Sequence, residues 1–134
     1  MLLKDVVVRF PDVQVVNEED CFFDAIKVLN TNRWGAVFVV NTAMKVQGII
    51  TDGDARKIMA TNNEPLAQLN SEPTSKYANK SPTVFLESMS VVESLKIMNE
   101  KMFLCAPVVD SEGKFIGAVH IQHLLRELIN NGTI

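Results

Sequence analysis

The chain has 134 residues, of which 47% are hydrophobic, so it can enclose a hydrophobic core, and its length alone predicts one compact unit. A net charge of -3 and a pI near 5.3 provide no basic surface for a polyphosphate backbone, which makes nucleic acid a poor partner. No apolar run is long enough for a signal peptide or a membrane span, so we expect a cytoplasmic protein that has no membrane partner.

The first half of the chain has the pattern of a β-α-β-β-α unit. Residues 13–16 predict a short strand, and apolar residues at i, i+4 and i+7 predict a helix over 22–29. Two stretches rich in β-branched residues, 36–40 and 46–50, predict a hairpin. A second helix is expected over 52–60.

The second half repeats this order after a polar segment. That segment is rich in Asn, Ser, Glu and Pro, which is typical of a linker. The elements that follow are a strand, a helix, a hairpin and a closing helix, expected over 83–86, 91–98, 106–109 with 115–119, and 121–130.

A constant shift of 69 positions, which takes Gly48 to Gly117, aligns the two halves without a gap from Cys21 to Met59. Similarity at one fixed offset is typical of repeated supersecondary units that bury one another's apolar faces. The sequence therefore predicts one repeat over 1–62, a linker over 63–81 and a second repeat over 82–134.

Local signals predict helix caps and one unusual turn. Ser90 and Glu93 have the spacing of a capping box, whereas in the first repeat Asp20 is the better cap candidate. The turn over 41–44 has no glycine, so any left-handed conformation there is expected at Asn41.

The two repeats resemble a pair of cystathionine-β-synthase (CBS) domains, also called a Bateman module. The resemblance is carried by Gly-Ile-Ile-Thr-Asp-Gly-Asp at 48–54, Ala-Pro-Val-Val-Asp at 106–110 and Lys-Ser-Pro-Thr-Val at 80–84. The string at 48–54 is similar to the CBS pairs of bacterial arabinose-5-phosphate isomerases and of some sugar nucleotidyltransferases. The catalytic domains of those enzymes have no counterpart in this sequence.

The resemblance implies an α/β (α+β) fold of two β-α-β-β-α repeats packed with pseudo-two-fold symmetry, in which helices flank small mixed sheets. It also implies a regulatory role, a homodimer, and clefts between the repeats that bind AMP, ADP, ATP or a sugar nucleotide. The resemblance implies no required cofactor.

The family pattern Gly-h-h-Thr-x-x-Asp, where h is hydrophobic, matches Thr51 and Asp54. The resemblance implies that Asp54 binds the ribose hydroxyls and that Thr51 lies near the phosphate. A hydroxyl at a helix start suits a phosphate, and a carboxylate can accept hydrogen bonds from a vicinal diol. Asp52, Gly53, which leaves the approach open, and Arg56, which could pair with a phosphate, complete the candidate site.

Two observations leave alternatives open. Thr51 and Asp54 also have the spacing of a capping box, which by itself would explain both residues. The corresponding positions of the second repeat are His120 and His123, and a neutral imidazole cannot replace a carboxylate toward a diol. We include both histidines as structural or phosphate-facing candidates, and no third ligand for a metal is evident.

The sequence contains no nucleophile with a positioned base, no metal-ligand cluster and no phosphate loop of the P-loop kind. We therefore expect no catalytic residues and a non-catalytic regulatory module. A catalytic domain in a parent protein is one expected partner. The alternative is a structural dimerisation module without a competent nucleotide site.

Overall fold

The computed structural model describes all 134 residues and contains two compact units. The central unit is Gln14–Pro82, and the terminal unit combines Met1–Val13 with Thr83–Ile134. The boundaries at residues 62 and 81 describe the internal repeat of the sequence, and they stay predictions. The compact units are divided differently because the N-terminal segment packs with the second half of the chain.

The elements in chain order are short strands and helices. They are α1 (Leu3–Val6), β1 (Val8–Arg9), β2 (Val15–Asn17), α2 (Phe22–Thr31), β3 (Ala36–Val40), β4 (Val46–Thr51), α3 (Asp52–Thr61), α4 (Leu66–Ser71), β5 (Phe85–Leu86), α5 (Val91–Lys101), β6 (Cys105–Val109), β7 (Phe115–His120) and α6 (Ile121–Asn130). A single 3₁₀ turn, Thr74–Lys76, follows α4.

The sheet of the central unit has the order β2-β3-β4, with β2 parallel and β4 antiparallel to β3. All five residues of β3 are buried, as expected for the middle strand of a sheet. Helix α2 buries Phe22 and Ala25, and α3 buries Ala55, so each helix contributes its apolar stripe to the core around Val37 and Ile50.

The terminal unit has a four-stranded sheet of order β1-β7-β6-β5, in which β5 is parallel to β6 and the other pairs are antiparallel. Helices α5 and α6 supply Met98, Leu124 and Leu128 to its core, and the N-terminal segment supplies Leu3. Two β-α-β-β-α units with small mixed sheets flanked by helices are therefore present, and the predicted fold class is confirmed.

The repeated glycines lie where a neighbouring backbone segment pairs closely with the glycine's own strand. A Cβ atom on Gly117 would lie 2.1 Å from the carbonyl oxygen of Val8, which belongs to the neighbouring strand β1. In the central unit a Cβ on Gly48 would lie 2.7 Å from the carbonyl oxygen of Asn79. Both distances are too short for any side chain, so glycine is required at both positions by close backbone approach.

Two local predictions were wrong. Helix α2 is capped by Cys21 and not by Asp20, because the Asp24 carboxylate accepts the Cys21 N–H at 3.2 Å while Asp20 binds the N–H of Asn17. The left-handed residue of the first hairpin is Met44 (φ 61°), the counterpart of Gly113 (φ 82°) in the second hairpin. Asn41 instead accepts the N–H groups of residues 43 and 45.

The predicted linker is structured and packs within the central unit. Helix α4 buries Leu69, and the buried side chain of Thr74 donates to the Asp20 carbonyl oxygen at 2.7 Å. The rings of Phe22 and Tyr77 are in tilted contact, with a centroid distance of 5.1 Å. A polar composition therefore did not prevent this segment from completing the core of the central unit.

Candidate functional site

The start of α3, residues 51–54, is held by reciprocal hydrogen bonds. The Thr51 hydroxyl accepts the N–H of Asp54 at 3.1 Å, and Oδ2 of Asp54 accepts the N–H of Thr51 at 3.0 Å. Both side chains are half-buried. The capping box that the spacing predicts is therefore formed, and it fixes both side chains in place.

The box leaves polar groups of the α3 start available to a ligand. A carboxylate has about four lone-pair positions, so one hydrogen bond to Thr51 leaves Asp54 with acceptors to spare. The Thr51 hydroxyl, which acts as an acceptor in the cap, retains its own hydrogen to donate. Gly53 is exposed, and its N–H has no partner in the protein. Donors and acceptors thus stand side by side at the positive end of a helix dipole.

A backbone hydrogen bond joins the α3 start to the segment before β3. The N–H of Asp52 donates to the carbonyl oxygen of Gly35 at 3.0 Å, and Gly35 has a positive φ of 72°. The same bond recurs in the terminal unit, where Ile121 donates to Leu104 at 2.8 Å. Gly35 was not predicted as part of the site, although a glycine two residues after Arg33 and directly before the buried strand was a usable signal.

The remaining first-repeat candidates, Asp52 and Arg56, are both exposed on the first turns of α3. Gly53 has room around it, since a Cβ there would approach nothing closer than the Arg56 guanidinium and the Thr51 hydroxyl, each at 3.8 Å. The approach to the helix start is therefore open, and a cationic side chain lies beside it.

The second-repeat candidates, His120 and His123, lie at the start of α6 in the terminal unit. His120 is the helix cap, and its Nδ1 accepts the N–H of Gln122 at 3.2 Å. His123 Nε2 lies 2.9 Å from the carbonyl oxygen of Val6 and therefore donates to it. This bond ties α6 to the N-terminal segment, so the position that corresponds to Asp54 has a structural contact in this repeat.

Protonation of His120 is disfavoured in the folded chain. Burial lowers the pKa of His120, and the nearby His123 lowers it further. Because the unfolded chain binds this proton more readily, the stability that neutral His120 contributes is present above about pH 6.5 and is lost as the pH falls through the lower folded pKa.

We expect His120→Asn, which keeps a capping side chain, to reduce the loss of stability between pH 7 and pH 5. Urea unfolding at a series of pH values measures the difference. Parallel decline of the parent and the variant across that range would show that His120 does not titrate with folding.

Two cavities of the central unit lie away from the start of α3. One of about 400 Å³ is bordered by Ile58, Thr61 and Tyr77 at the C-terminal end of α3, and one of about 270 Å³ lies near the start of β4.

No group of three His, Cys, Asp or Glu side chains is close enough together to hold a metal ion. None of the helices has the length and hydropathy needed to cross a membrane.

The two repeats and their small mixed sheets flanked by helices define the class of tandem β-α-β-β-α modules. The CBS domain family model matches residues 3–61 and 75–130, so the chain belongs to the CBS-domain family.

Two relatives show how the module is placed in longer proteins. RP505 of Rickettsia prowazekii (strain Madrid E) is 28% identical over 123 residues, which is 92% of this chain and 36% of RP505. The arabinose 5-phosphate isomerase GutQ of Escherichia coli (strain K12) is 28% identical over 99 residues, which is 74% of this chain and 29% of GutQ. This chain therefore spans about a third of the length of each relative.

Solved structures share the fold at low identity. CBSX2 in complex with AMP superposes with a TM-score of 0.84 at 19% identity, covering 98% of both chains. The CBS domain of the bacterial CNNM/CorC family Mg²⁺ transporter in complex with ATP gives a TM-score of 0.77 at 17% identity, covering 96% of this chain and 87% of that one.

Proposed function

We propose that this chain is a regulatory module that senses an adenosine nucleotide at the start of α3. The observation that carries the proposal is the half-buried Asp54 carboxylate, which is fixed by Thr51 yet retains free acceptor positions beside the open N–H of Gly53. The complexes of CBSX2 with AMP and of the CNNM/CorC CBS domain with ATP support this ligand class.

In this proposal each group of the α3 start has one role. Asp54 accepts hydrogen bonds from the two ribose hydroxyls, and the Thr51 hydroxyl and the Gly53 N–H donate to a phosphate. The exposed Arg56 guanidinium adds charge complementarity to that phosphate. Asp52 is expected to contribute through its backbone bond to Gly35, which fixes the helix start.

The test separates ligand binding from helix capping. We expect AMP, ADP or ATP to raise the melting temperature, in a thermal-shift panel that also contains a CMP-sugar and S-adenosyl methionine. Asp54→Asn keeps an oxygen that can cap Thr51 but loses the charged acceptor, which should weaken binding by about 1.5–3 kcal/mol, or roughly tenfold to a hundredfold.

The matched control is Asp24→Asn, which changes the equivalent capping carboxylate of α2 and should leave nucleotide affinity unchanged. A ligand-side control is 2′-deoxy-AMP, which lacks one hydroxyl of the diol and should bind more weakly than AMP. Equal shifts for the parent and Asp54→Asn would remove the α3 start as the site.

The second candidate is a structural dimerisation module, which a stripe on α6 favours. Leu125 and Ile129 are exposed at i, i+4 spacing, and Val92 of α5 is also exposed. These side chains are available to a second copy of the chain. A dimer by light scattering, together with no thermal shift for any nucleotide, would favour this function over ligand sensing.

The proposed regulatory role assigns no catalysis to this chain. We propose that it acts in the cytoplasm on a catalytic domain. The arrangement in GutQ, where the matched segment is 29% of an isomerase, supports such a partner. Assaying a co-expressed catalytic domain with and without AMP would test the regulation.

A further inference from the structure

The 270 Å³ cavity of the central unit lies away from the α3 start. Its lining comes from the residues after β2, from β3 and β4, and from the segment after α4: Glu18, Val39, Gln47, Ser75, Ala78 and Lys80. Gln47 lies at the opposite end of β4 from Thr51, about 13 Å away at the rise of an extended strand. A ligand in this cavity would therefore occupy a site separate from the proposed nucleotide site.

Backbone hydrogen bonds fix the walls of this cavity. The N–H of Ser75 donates to the carbonyl oxygen of Glu18 at 3.0 Å, and the N–H of Glu18 donates to Val40 at 2.9 Å. On the other side, Asn79 and Ile49 exchange two bonds of 2.9 and 3.1 Å. The cavity is thus formed by paired main chain, which does not need a ligand to order it.

Two of the residues that line the cavity are charged, and neither takes part in an ion pair. The Glu18 carboxylate and the Lys80 ammonium form no ion pair with each other or with another side chain. The Ser75 hydroxyl has no hydrogen bond, and Gln47 uses only its Nε2, which donates to the Lys45 carbonyl oxygen at 3.3 Å. The residues that line this one cavity therefore include an acid, a base, a hydroxyl and an amide.

We propose that this cavity binds a small zwitterion of the size of a short α-amino acid. The ligand ammonium pairs with Glu18, the ligand carboxylate pairs with Lys80, and Ser75 and Gln47 supply further hydrogen bonds. A simple anion would meet the negative charge of Glu18, and a simple cation would meet the positive charge of Lys80, so a ligand that carries both charges is complementary to both residues. The volume is slightly below the 300–1,000 Å³ typical of ligand pockets, roughly what a short ligand needs.

The experiment is an NMR titration of the ¹⁵N-labelled full chain with glycine, L-alanine and L-serine. We expect saturable shifts of the amides of Val39, Gln47, Ser75 and Ala78 with these zwitterions. Propionate and ethylamine, each of which carries one of the two charges, should give no saturable shift at the same concentration and ionic strength. Equal responses to the single-charge compounds, or no saturable response to any zwitterion, would overturn the proposal.

Substitutions of the two charged lining residues test whether the zwitterion binds in this cavity. Glu18→Gln and Lys80→Gln should each weaken zwitterion binding about tenfold or more, since each removes one charged partner. The matched controls are Glu19→Gln, a change in the adjacent exposed acid, and Lys96→Gln, a change in an exposed lysine of α5. Undiminished binding in both cavity variants would overturn the assignment.

The zwitterion site does not rest on the nucleotide proposal, and the same samples distinguish the two. Glu18→Gln and Lys80→Gln should keep the parent's thermal shift with AMP. Loss of the AMP response in Asp54→Asn alone, with zwitterion binding intact, would place the two ligands in separate sites.

Discussion

Replacing Phe22 by alanine should lower the free energy of unfolding by about 3–5 kcal/mol, the usual cost of truncating a buried phenylalanine. The Phe22 side chain is 0% exposed and packs against the ring of Tyr77. Its truncation therefore leaves a cavity between α2 and the segment that follows α4. The hydrogen bond from the Phe22 N–H to the Glu72 carbonyl oxygen at 2.7 Å survives, because only the side chain changes.

The adjacent residue provides the matched control for this prediction. Phe23 lies in the same turn of α2 but is 45% exposed, so Phe23→Ala should cost much less than Phe22→Ala. Urea unfolding followed by circular dichroism measures both values. Equal losses in the two variants would mean that the contact with Tyr77 does not contribute to the core of the central unit.

A single methyl group on Gly117 should also destabilise the chain, by roughly 1–3 kcal/mol, the range for an overpacked position. The methyl carbon of Gly117→Ala would lie 2.1 Å from the carbonyl oxygen of Val8 and 2.9 Å from a methyl group of Val7. Because the first obstacle is backbone, β1 must move away from β7. We expect faster amide exchange in β1 as well as a lower melting temperature.

Gly53→Ala is the matched control for Gly117→Ala. Gly53 is helical and has no atom closer than 3.8 Å to an added Cβ, so alanine there should be neutral or stabilising by about 0.5–1 kcal/mol. A melting temperature for Gly117→Ala equal to that of the parent would contradict the close approach of β1 to β7.

Much of the fold was predictable because the spacing of hydrophobic residues along the chain indicates helix or strand locally. The predicted 121–130 helix coincides with α6, and the two hairpins were placed to within a residue or two. The 69-residue shift also has a structural counterpart: Gly48 and Gly117 each lie against a closely paired backbone segment. A repeated pattern of this kind is visible in one sequence without any knowledge of tertiary contacts.

The errors arose where tertiary packing overrode local propensity. Asp20 is a better cap than Cys21 by residue type, yet the chain enters α2 one residue later, where Cys21 can bind Asp24. The polar segment after α3 has no regular spacing of hydrophobic residues, yet its residues Leu69 and Thr74 are both completely buried. Such contacts depend on which distant residues approach, and a local pattern does not carry that information.

The candidate site was predictable at its helix start and less so around it. Thr51 and Asp54 stood out by spacing, and their reciprocal bonds are present. The hydrogen bond from Asp52 to the carbonyl oxygen of Gly35 was not predicted, because a contact with a backbone carbonyl depends little on residue type and leaves only the glycine as a signal in the sequence. The engagement of His123 with Val6 was equally invisible, since the two residues lie at opposite ends of the sequence.

The placement of β1 beside β7 has a consequence for synthesis on the ribosome. The central unit is one continuous stretch and can close once Pro82 has emerged. In the terminal unit Val8 pairs with Ala118 between β1 and β7, so this pair cannot form until Ala118 has been translated. Translation therefore completes the half that carries Thr51 and Asp54 first, and β1 stays without its strand partner until β7 has been made.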